Sequence, residues 1–366
     1  MIGLLAGALV LAVALAVRAA EDPVYTIRDV ALDVRAKTAA RARGLALSRG
    51  QRLAIGRLFA RLTPREEQPR LPVLDDARIT SLVSGIDVRD ERYSSKRYLA
   101  SVTYHFNKEA VRDLLSLTGI PFSETPAPPL VVLPGIDIAG TRQLWEPGNP
   151  WRAAWQGLDL KRGLVPVVLP RRGITLISAD QATAGADEKL LATISHRYNG
   201  AEVMVAWARL SHEVASGRVV LTIEMTRYGA AGVRSAKLRL TGESRDAVLA
   251  RAADRVLTTI NEDWKRYTLI DFTTHSGIAA VAPLRQLSDW LALRDRLATV
   301  GVVRKLRLER ISVTMAHLNI EFQGRAEGLA VSLERAGITV TPRADGADGW
   351  MLGLAPKQQP QQPERQ

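Results

Sequence analysis

Strand-like and helix-like patterns alternate along most of this chain, and this alternation constrains its fold more than any other feature. Strands are indicated where apolar and polar residues alternate, and helices where apolar residues recur every three or four positions. Glycine, proline and asparagine mark the ends of both kinds of element. The patterns predict an α+β or α/β protein built from three small sandwiches, in each of which helices cover a β-sheet.

The first predicted module covers residues 24–122 and has the order βαββα. Its elements, in chain order, are a strand at 24–34, a helix at Thr38–Leu62, strands at 86–92 and 98–106, and a helix at 108–118. The apolar stripe predicted for the long helix consists of Ala40, Leu47, Ile55, Leu58 and Leu62. We therefore expect an α+β sandwich with helices on one face of its sheet.

A proline-rich segment, Thr125–Pro129, predicts a boundary before the second module at residues 129–265. The module begins with a buried strand, Leu130–Gly135, and its first helix has Asn149 as N-cap and Pro150 at the first helical position. The later predicted elements are strands at 165–169 and 174–177, a helix at 187–197, a strand at 202–210, a hairpin formed by 219–228 and 235–240, and a helix at Ser244–Lys265 with Ser244 as N-cap.

The third predicted module, residues 267–354, has the βαββαβ order of a split-βαβ, ferredoxin-like sandwich. Its predicted elements are a strand at 269–273, a helix at 284–300, strands at 302–311 and 313–322, a helix at 326–336 and a last strand at 338–341, with 350–354 as a candidate for one further strand. Residues 355–366 are rich in glutamine and proline and are predicted to be disordered.

The first and third modules share a pattern of residues at the ends of their strands and helices. In each, a strand ends in phenylalanine, Phe106 or Phe322, and the next helix is followed by Gly-Ile, beginning at Gly119 or Gly337. A duplication explains this pattern, and so does the independent occurrence of the same residues at strand and helix ends.

The first twenty residues have the pattern of an export signal. An uncharged apolar run, Met1–Val17, leads into Val17-Arg18-Ala19, where Val17 and Ala19 occupy the two positions that signal peptidase recognises. We expect cleavage after Ala19, which makes residues 1–19 a signal peptide and the mature protein periplasmic. No basic residue precedes the run, which leaves open a start further upstream. The alternative is an uncleaved inner-membrane anchor, although the run is shorter than the roughly twenty apolar residues that cross a bilayer core.

The sequence contains no cysteine, which excludes disulfides and the acylated cysteine of a bacterial lipoprotein. Its 50 lysines and arginines against 38 acidic residues give a formal charge of +12, which favours anionic partners. Nucleic acid requires a cytosolic address, so the export signal argues against it. Lipid, lipopolysaccharide or an acidic polymer fits an exported chain better.

The chain resembles a proteobacterial family catalogued as domain of unknown function 2066. The resemblance rests on the export signal, residues 24–30, the arginine-rich helix that ends at Pro64, the segment 97–100, the segment 111–121, and Pro-Pro-Leu-Val-Val-Leu-Pro at 128–134. It covers most of the mature chain and implies no catalytic residues, because none is assigned in that family. In element order, the middle module is also similar to the N-terminal domain of the periplasmic protein TolB and to the curli-secretion lipoprotein CsgG.

No chemistry-bearing motif stands out. The histidines, which form no His-x-x-x-His pair, are His105, His196, His212, His275 and His317. Asp271, His275 and Ser276 lie close in sequence, but catalytic triads are usually assembled from distant segments, so a catalytic interpretation is not favoured. The adjacent acids at 75–76, 90–91 and 262–263 are expected on the solvated surface. We therefore predict no catalytic residue, metal site or cofactor.

The first candidate binding surface is the arginine-rich helix, through Arg41, Arg49, Arg52, Arg57 and Arg61. From Val34 to Arg65 the sequence has nine basic residues and no acid, so this helix suits anionic head groups or polymer. The alternative is a solvated helix face whose arginine stems cover apolar neighbours.

The second candidate is a tryptophan cluster formed by Trp145, Trp151 and Trp155 together with Arg152. Exposed rings would form a stacking platform for sugars or a contact for a partner protein. Buried rings would fix the first helix of the middle module onto its sheet, and this alternative is favoured.

These observations predict an exported cell-envelope protein that acts as a non-catalytic scaffold or adaptor for other envelope components. The alternative is a module that binds an anionic envelope ligand, namely lipid, lipopolysaccharide or peptidoglycan, through the basic helix. A hydrolase or transferase is the third hypothesis, and it requires a pocket that gathers histidines and carboxylates from several modules. The sequence predicts neither the oligomeric state nor the arrangement of the modules.

Overall fold

The computed structural model describes residues 22–138, 140–171, 177–183, 188–213, 217–229, 232–272, 276–343 and 348–355. These residues form an α+β structure with three β-sheets, which confirms the predicted fold class. The described residues form two compact units, residues 22–54 with 75–108, and residues 55–74 with 109–355. The predicted signal peptide at residues 1–19 lies outside the described residues, as does the predicted tail from residue 356 onwards.

The first unit contains an antiparallel sheet with the strand order β1-β3-β2. Its elements are β1 (Thr26–Arg35), the first part of α1 (Ala39–Leu62), α2 (Asp76–Leu82), β2 (Val83–Tyr93) and β3 (Arg97–Phe106). Alternate residues of β3 point to opposite faces, and those on its buried face are Tyr98, Ala100, Val102, Tyr104 and Phe106. This buried face forms the core of the unit.

The second unit begins with the end of α1 and contains two sheets. The elements up to the end of its first sheet are α3 (Lys108–Leu117), β4 (Leu130–Ile138), β5 (Thr141–Gln143), α4 (Pro150–Gln156), β6 (Val167–Val168), α5 (Ala179–Thr183), α6 (Glu188–Arg197), β7 (Glu202–His212), β8 (Val219–Gly229), β9 (Gly232–Gly242) and α7 (Arg245–Tyr267). The sheet has the order β5-β4-β7-β8-β9, and β6 also pairs with β4. The β8–β9 hairpin and the N-caps Asn149 and Ser244 confirm the sequence predictions.

Helices cover both faces of this sheet. One core contains Leu130, Val132 and Ile136 of β4 together with α4 and α7. Val131 and Leu133 of β4 lie in a second core, on the side of α6. A strand buried on both faces is apolar throughout, which explains the uninterrupted apolar run in β4.

The other sheet of the second unit has the order β11-β12-β10-β14-β13. Its elements are β10 (Ser276–Pro283), α8 (Leu287–Thr299), β11 (Val303–Ile311), β12 (Met315–Phe322), α9 (Ala326–Arg335), β13 (Ile338–Pro342) and β14 (Trp350–Leu354). The pattern has one strand more than βαββαβ, because β14 lies parallel to β10 and separates it from β13.

The predicted strand at Leu269–Thr273 is wrong. Within the described part of that segment only Ile270 makes a strand-like contact, an isolated β-bridge to Phe122. The ring centroids of Phe272 and Phe122 are 5.9 Å apart. The strand lies further on, at Ser276–Pro283, where small alanines gave a weak apolar signal. Residues 172–176, which carry most of the predicted strand at 174–177, are outside the described residues.

The two βαββα patterns share one topology. In each, the strand after the first helix lies at the edge of its sheet, beyond the third strand, as in β1-β3-β2 and β10-β12-β11. Phe106 pairs with Val83 at the start of β2, and Phe322 pairs with Val303 at the start of β11. Gly119 and Gly337 both have a positive φ, of 64° and 75°. The shared residues at the ends of these elements therefore accompany a shared strand order.

The predicted linker Thr125–Pro129 is packed inside the second unit. Trp264 Nε1 donates to the carbonyl of Thr125 at 2.7 Å, and Arg335 Nε donates to that of Pro126 at 3.0 Å. Thr125 and Ala127 are buried. Proline fixes the backbone here without making the segment an exposed connection.

A buried lysine fixes the end of α1 to α7. Lys265 Nζ donates to the carbonyl oxygens of Ala60 and Thr63, at 3.0 and 2.7 Å. It also lies 2.6 Å from Glu262 Oε1, so Glu262 is the half-buried partner of an ion pair and not the solvated acid expected from the sequence. Burial lowers the pKa of Lys265 because the ammonium group loses hydration. The carbonyl oxygens and the carboxylate replace part of that hydration.

Among the described helices, none combines the length and the apolar composition needed to cross a lipid bilayer.

Candidate functional site

Four side chains of α1 form an exposed row along the helix. Arg41, Leu45, Arg49 and Leu53 follow one another at intervals of four residues and are all exposed, with Leu45 at 40% and Leu53 at 53%. Residues four apart are neighbours on a helix surface, so arginine and leucine alternate along a continuous strip. We call this strip the α1 stripe. It lies entirely in the first unit.

The α1 stripe is exposed because the adjacent row of residues faces the sheet. That buried row consists of Ala42, Ala46, Gly50 and Ala54. The sequence prediction placed Ala40 and Leu47 towards the core, but Ala40 is exposed and Leu47 is only half-buried. Small side chains form the contact because the helix backbone lies close to β3, leaving no room for leucine.

Ion pairs engage two other arginines of the helix. Arg43 Nε donates to Glu91 Oε1 at 3.1 Å, and Arg52 Nε donates to Asp76 Oδ1 at 2.6 Å. The hydrogen bond from Arg52 holds the pKa of Asp76 below its ordinary value. The pKa of Glu91 is lowered as well, chiefly by the hydroxyl of Tyr98 and also by Arg43. Arg52, a predicted contact residue, therefore already has a carboxylate partner.

The remaining predicted arginines divide between the two units. Arg61 donates to the carbonyl oxygen of Arg162 at 2.9 Å, so it is a structural contact within the second unit. Arg57, also in the second unit, is exposed. Neither Arg41 nor Arg49 forms an ion pair with an acid in the described part of the chain, and α1 itself contains no acidic residue. The α1 stripe thus carries uncompensated positive charge beside exposed apolar surface.

The two central tryptophans are core residues. Trp151 and Trp155 are fully buried, and their rings meet edge to face with centroids 5.7 Å apart. Trp151 Nε1 donates to the carbonyl of Ala206 at 3.0 Å, which joins α4 to β7. Neither ring offers a stacking surface, which corrects their place among the candidate binding residues. They fix α4 onto the sheet, the favoured alternative.

Arg152 and Trp145 support the same packing. Arg152 is buried and donates from Nη2 to the carbonyl of Pro170, and its guanidinium lies 6.0 Å from the centre of the Trp145 ring. Trp145 is half-buried and donates from Nε1 to Ile177 O at 2.7 Å. The tryptophan cluster is therefore structural.

Thr26, His105 and Asp87 form a series of contacts across the first sheet, from a hydroxyl to an imidazole to a carboxylate. The sequence analysis did not predict this series. His105 Nδ1 lies 3.3 Å from Thr26 Oγ1, and His105 Nε2 lies 2.9 Å from Asp87 Oδ2. The three residues come from adjacent strands, so only the strand register brings them together. The hydroxyl of Thr26 also donates to the carbonyl of Asp22, and Thr26 is buried. Because this hydroxyl belongs to a buried residue and already donates to a backbone carbonyl, we interpret the three contacts as a link between strands.

Of the other histidines, those that the structure describes do not converge on a site. His196 and His212 are exposed and His317 is half-buried, whereas His275 lies outside the described residues. Within the described ranges, no group of three or more histidine, aspartate or glutamate side chains is arranged to hold a metal ion.

No protein-family model matches the sequence, and no curated protein matches it. Among solved structures, a PelC dodecamer from Paraburkholderia phytofirmans is similar to part of the chain. The likeness has 15% sequence identity and a TM-score of 0.24, and it covers 38% of this chain and 92% of that chain. A likeness at this level carries no conclusion about this protein.

Proposed function

We propose that the protein is an exported, non-catalytic component of the cell envelope that binds an anionic lipid surface through the α1 stripe. One observation carries the proposal, namely that Arg41 and Arg49 have no acidic partner in the described part of the chain and alternate with the exposed Leu45 and Leu53.

Both kinds of side chain in the stripe suit the surface of an anionic bilayer. Arginine is attracted to phosphate head groups, and each basic residue near such a surface contributes about 1 kcal/mol. Leucine enters the boundary between head groups and acyl chains. A surface that only had to stay soluble would gain nothing from leucine at half of these positions. The lipopolysaccharide head group presents the same phosphate chemistry.

The test uses the chain from residue 20 onwards and vesicles of phosphatidylglycerol with phosphatidylcholine, compared with phosphatidylcholine alone. We expect binding only to the anionic vesicles and a steep loss of binding as salt increases. The variant Arg41→Gln/Arg49→Gln should bind about thirtyfold more weakly, since two contacts of about 1 kcal/mol are removed.

A matched control removes the same charge elsewhere in the first unit. Arg89→Gln/Arg92→Gln neutralises two exposed arginines of β2 and should bind as the unchanged protein does. Equal losses in the two double variants would mean that net charge alone drives binding, which contradicts the proposal. Leu45→Ser/Leu53→Ser tests the apolar half of the stripe and should also weaken binding.

A further inference from the structure

The edge of the second unit's last sheet carries an apolar strip. β11 pairs with β12 on one side and with no strand of the described residues on the other. Leu306, Leu308 and Ile311 pair with Ile320, Leu318 and Ala316 of β12, all of which are buried. Residues directly opposite one another share a sheet face. The three apolar residues of β11 therefore lie on the buried face, yet Leu308 and Ile311 are 43% and 42% exposed.

Helix α8 extends this strip. Arg296 donates from Nη1 to the carbonyl of Gly337 at 2.6 Å, which turns one flank of α8 towards the start of β13. Leu287 and Leu291 lie on the opposite flank by helical geometry, and α8 contacts both β11 and β14. Both leucines are exposed, Leu287 at 66%. From this geometry we infer that Leu287 and Leu291 lie on the side of α8 towards Leu308 and Ile311, and we call the free edge of β11 with these four residues the β11 edge.

The opposite face of β11 is basic. The strand has four basic residues, Arg304, Lys305, Arg307 and Arg310, and one acid, Glu309. Arg307 pairs with Glu321 at 2.6 Å, and Arg304 donates to Gln323 Oε1 at 2.7 Å. Lys305 and Arg310 are exposed, with no ion pair to an acid in the described part of the chain. A strand laid along this edge would meet apolar side chains on one face and positive charge on the other.

The positive charge of Lys305 and Arg310 determines which kind of strand can pair with the edge of β11. Two copies of β11 side by side would place like charges next to each other, which destabilises strand pairing. The two β-bulges of β11 also twist the edge, a feature that limits pairing between identical edges. An acidic strand avoids the charge repulsion, because its carboxylates would face Lys305 and Arg310 while its apolar side chains covered Leu308, Ile311 and the leucines of α8.

We propose that the β11 edge binds an extended segment of another protein, in which acidic and apolar residues alternate, as an added strand of the sheet. Backbone hydrogen bonds at the free edge would supply affinity, and the alternating side chains would supply specificity. This proposal does not depend on lipid binding. A chain with both surfaces would join an anionic surface to a protein partner, which is the adaptor function expected from the sequence.

The test measures fluorescence anisotropy of a labelled nine-residue peptide in which Glu and Val alternate, with the chain from residue 20 onwards. The expected result is binding at least tenfold tighter than that of a peptide of the same composition with its Glu residues in one block. Leu308→Lys and Lys305→Glu/Arg310→Glu should each weaken binding at least tenfold. Far-ultraviolet circular dichroism confirms that each variant is folded.

Matched controls change the same chemistry elsewhere in the second unit. Leu117→Lys alters an exposed leucine of α3, and Lys161→Glu/Arg255→Glu reverses two exposed charges, so both should bind within twofold of the unchanged protein. Arg41→Gln/Arg49→Gln should also leave peptide binding unchanged, which separates this surface from the α1 stripe. Equal affinity for the blocked peptide would overturn the proposal. So would a dimer, seen by sedimentation, that Leu308→Lys dissociates, because the edge would then bind a second copy.

Discussion

Gly50 of α1 lies so close to Tyr104 of β3 that a Cβ atom on Gly50 would be 2.1 Å from Tyr104 Oη. The same hydroxyl donates to the carbonyl of Leu47, one turn earlier, at 3.1 Å. Leu32 Cδ2 is also close, 3.0 Å from the same Cβ position. The helix therefore rests directly on the sheet at Gly50, and this contact turns the α1 stripe outwards.

The first prediction follows from that close approach. Gly50→Ala should lower the free energy of unfolding by about 1–3 kcal/mol, because the added methyl group forces the helix and the tyrosine apart. At Gly44 of the same helix, no atom lies within 4 Å of the new Cβ position. Gly44→Ala should therefore raise the free energy of unfolding by about 0.5–1 kcal/mol, because alanine favours the helix more than glycine does. Urea denaturation of the two variants measures both effects. Equal stability of the two variants would show that the helix has room at Gly50.

The second prediction concerns alkaline pH. Burial raises the pKa of Tyr104 to about 12, because the phenolate would lose its hydration. The unfolded phenol titrates at about 10, so the folded state holds this proton more tightly than the unfolded state. The stability that Tyr104 contributes is thus complete below about pH 10 and is lost as the pH rises towards about 12.

Ultraviolet difference absorbance of tyrosinate measures this titration. Burial also raises the pKa of Tyr98, so the assignment depends on single variants. Tyr104→Phe should remove a late-titrating phenol, whereas Tyr93→Phe, which alters an exposed tyrosine, should leave that late step in place. An unchanged late step in Tyr104→Phe contradicts the assignment.

Local signals in the sequence were sufficient to predict many of the helices and strands. The N-caps at Asn149 and Ser244 were predictable because capping depends on one side chain and a backbone group three residues away. The β8–β9 hairpin was predictable because its two apolar runs are separated by a short glycine-containing segment.

Features that depend on long-range contacts could not be predicted from local sequence signals. In α1, two rows of residues recur at intervals of four, one containing Leu45 and Leu53 and the other Ala46 and Gly50. Hydrophobicity alone favours burial of the leucines, but the close approach of β3 buries the smaller residues. The edge position of β11 likewise depends on the strand order of the whole sheet.

The last prediction compares the two buried tryptophans. Trp151 Nε1 donates to the carbonyl of Ala206, whereas Trp155 Nε1 has no hydrogen-bond partner in the described part of the chain. Substitution by phenylalanine removes similar apolar surface at both positions. At Trp151 it also removes a hydrogen bond, but at Trp155 it removes a buried donor that is not satisfied. Trp151→Phe should therefore be less stable than Trp155→Phe by about 1 kcal/mol or more in urea denaturation. If Trp155→Phe proves as costly as Trp151→Phe, the indole nitrogen of Trp155 has a partner in solution, such as a buried water molecule.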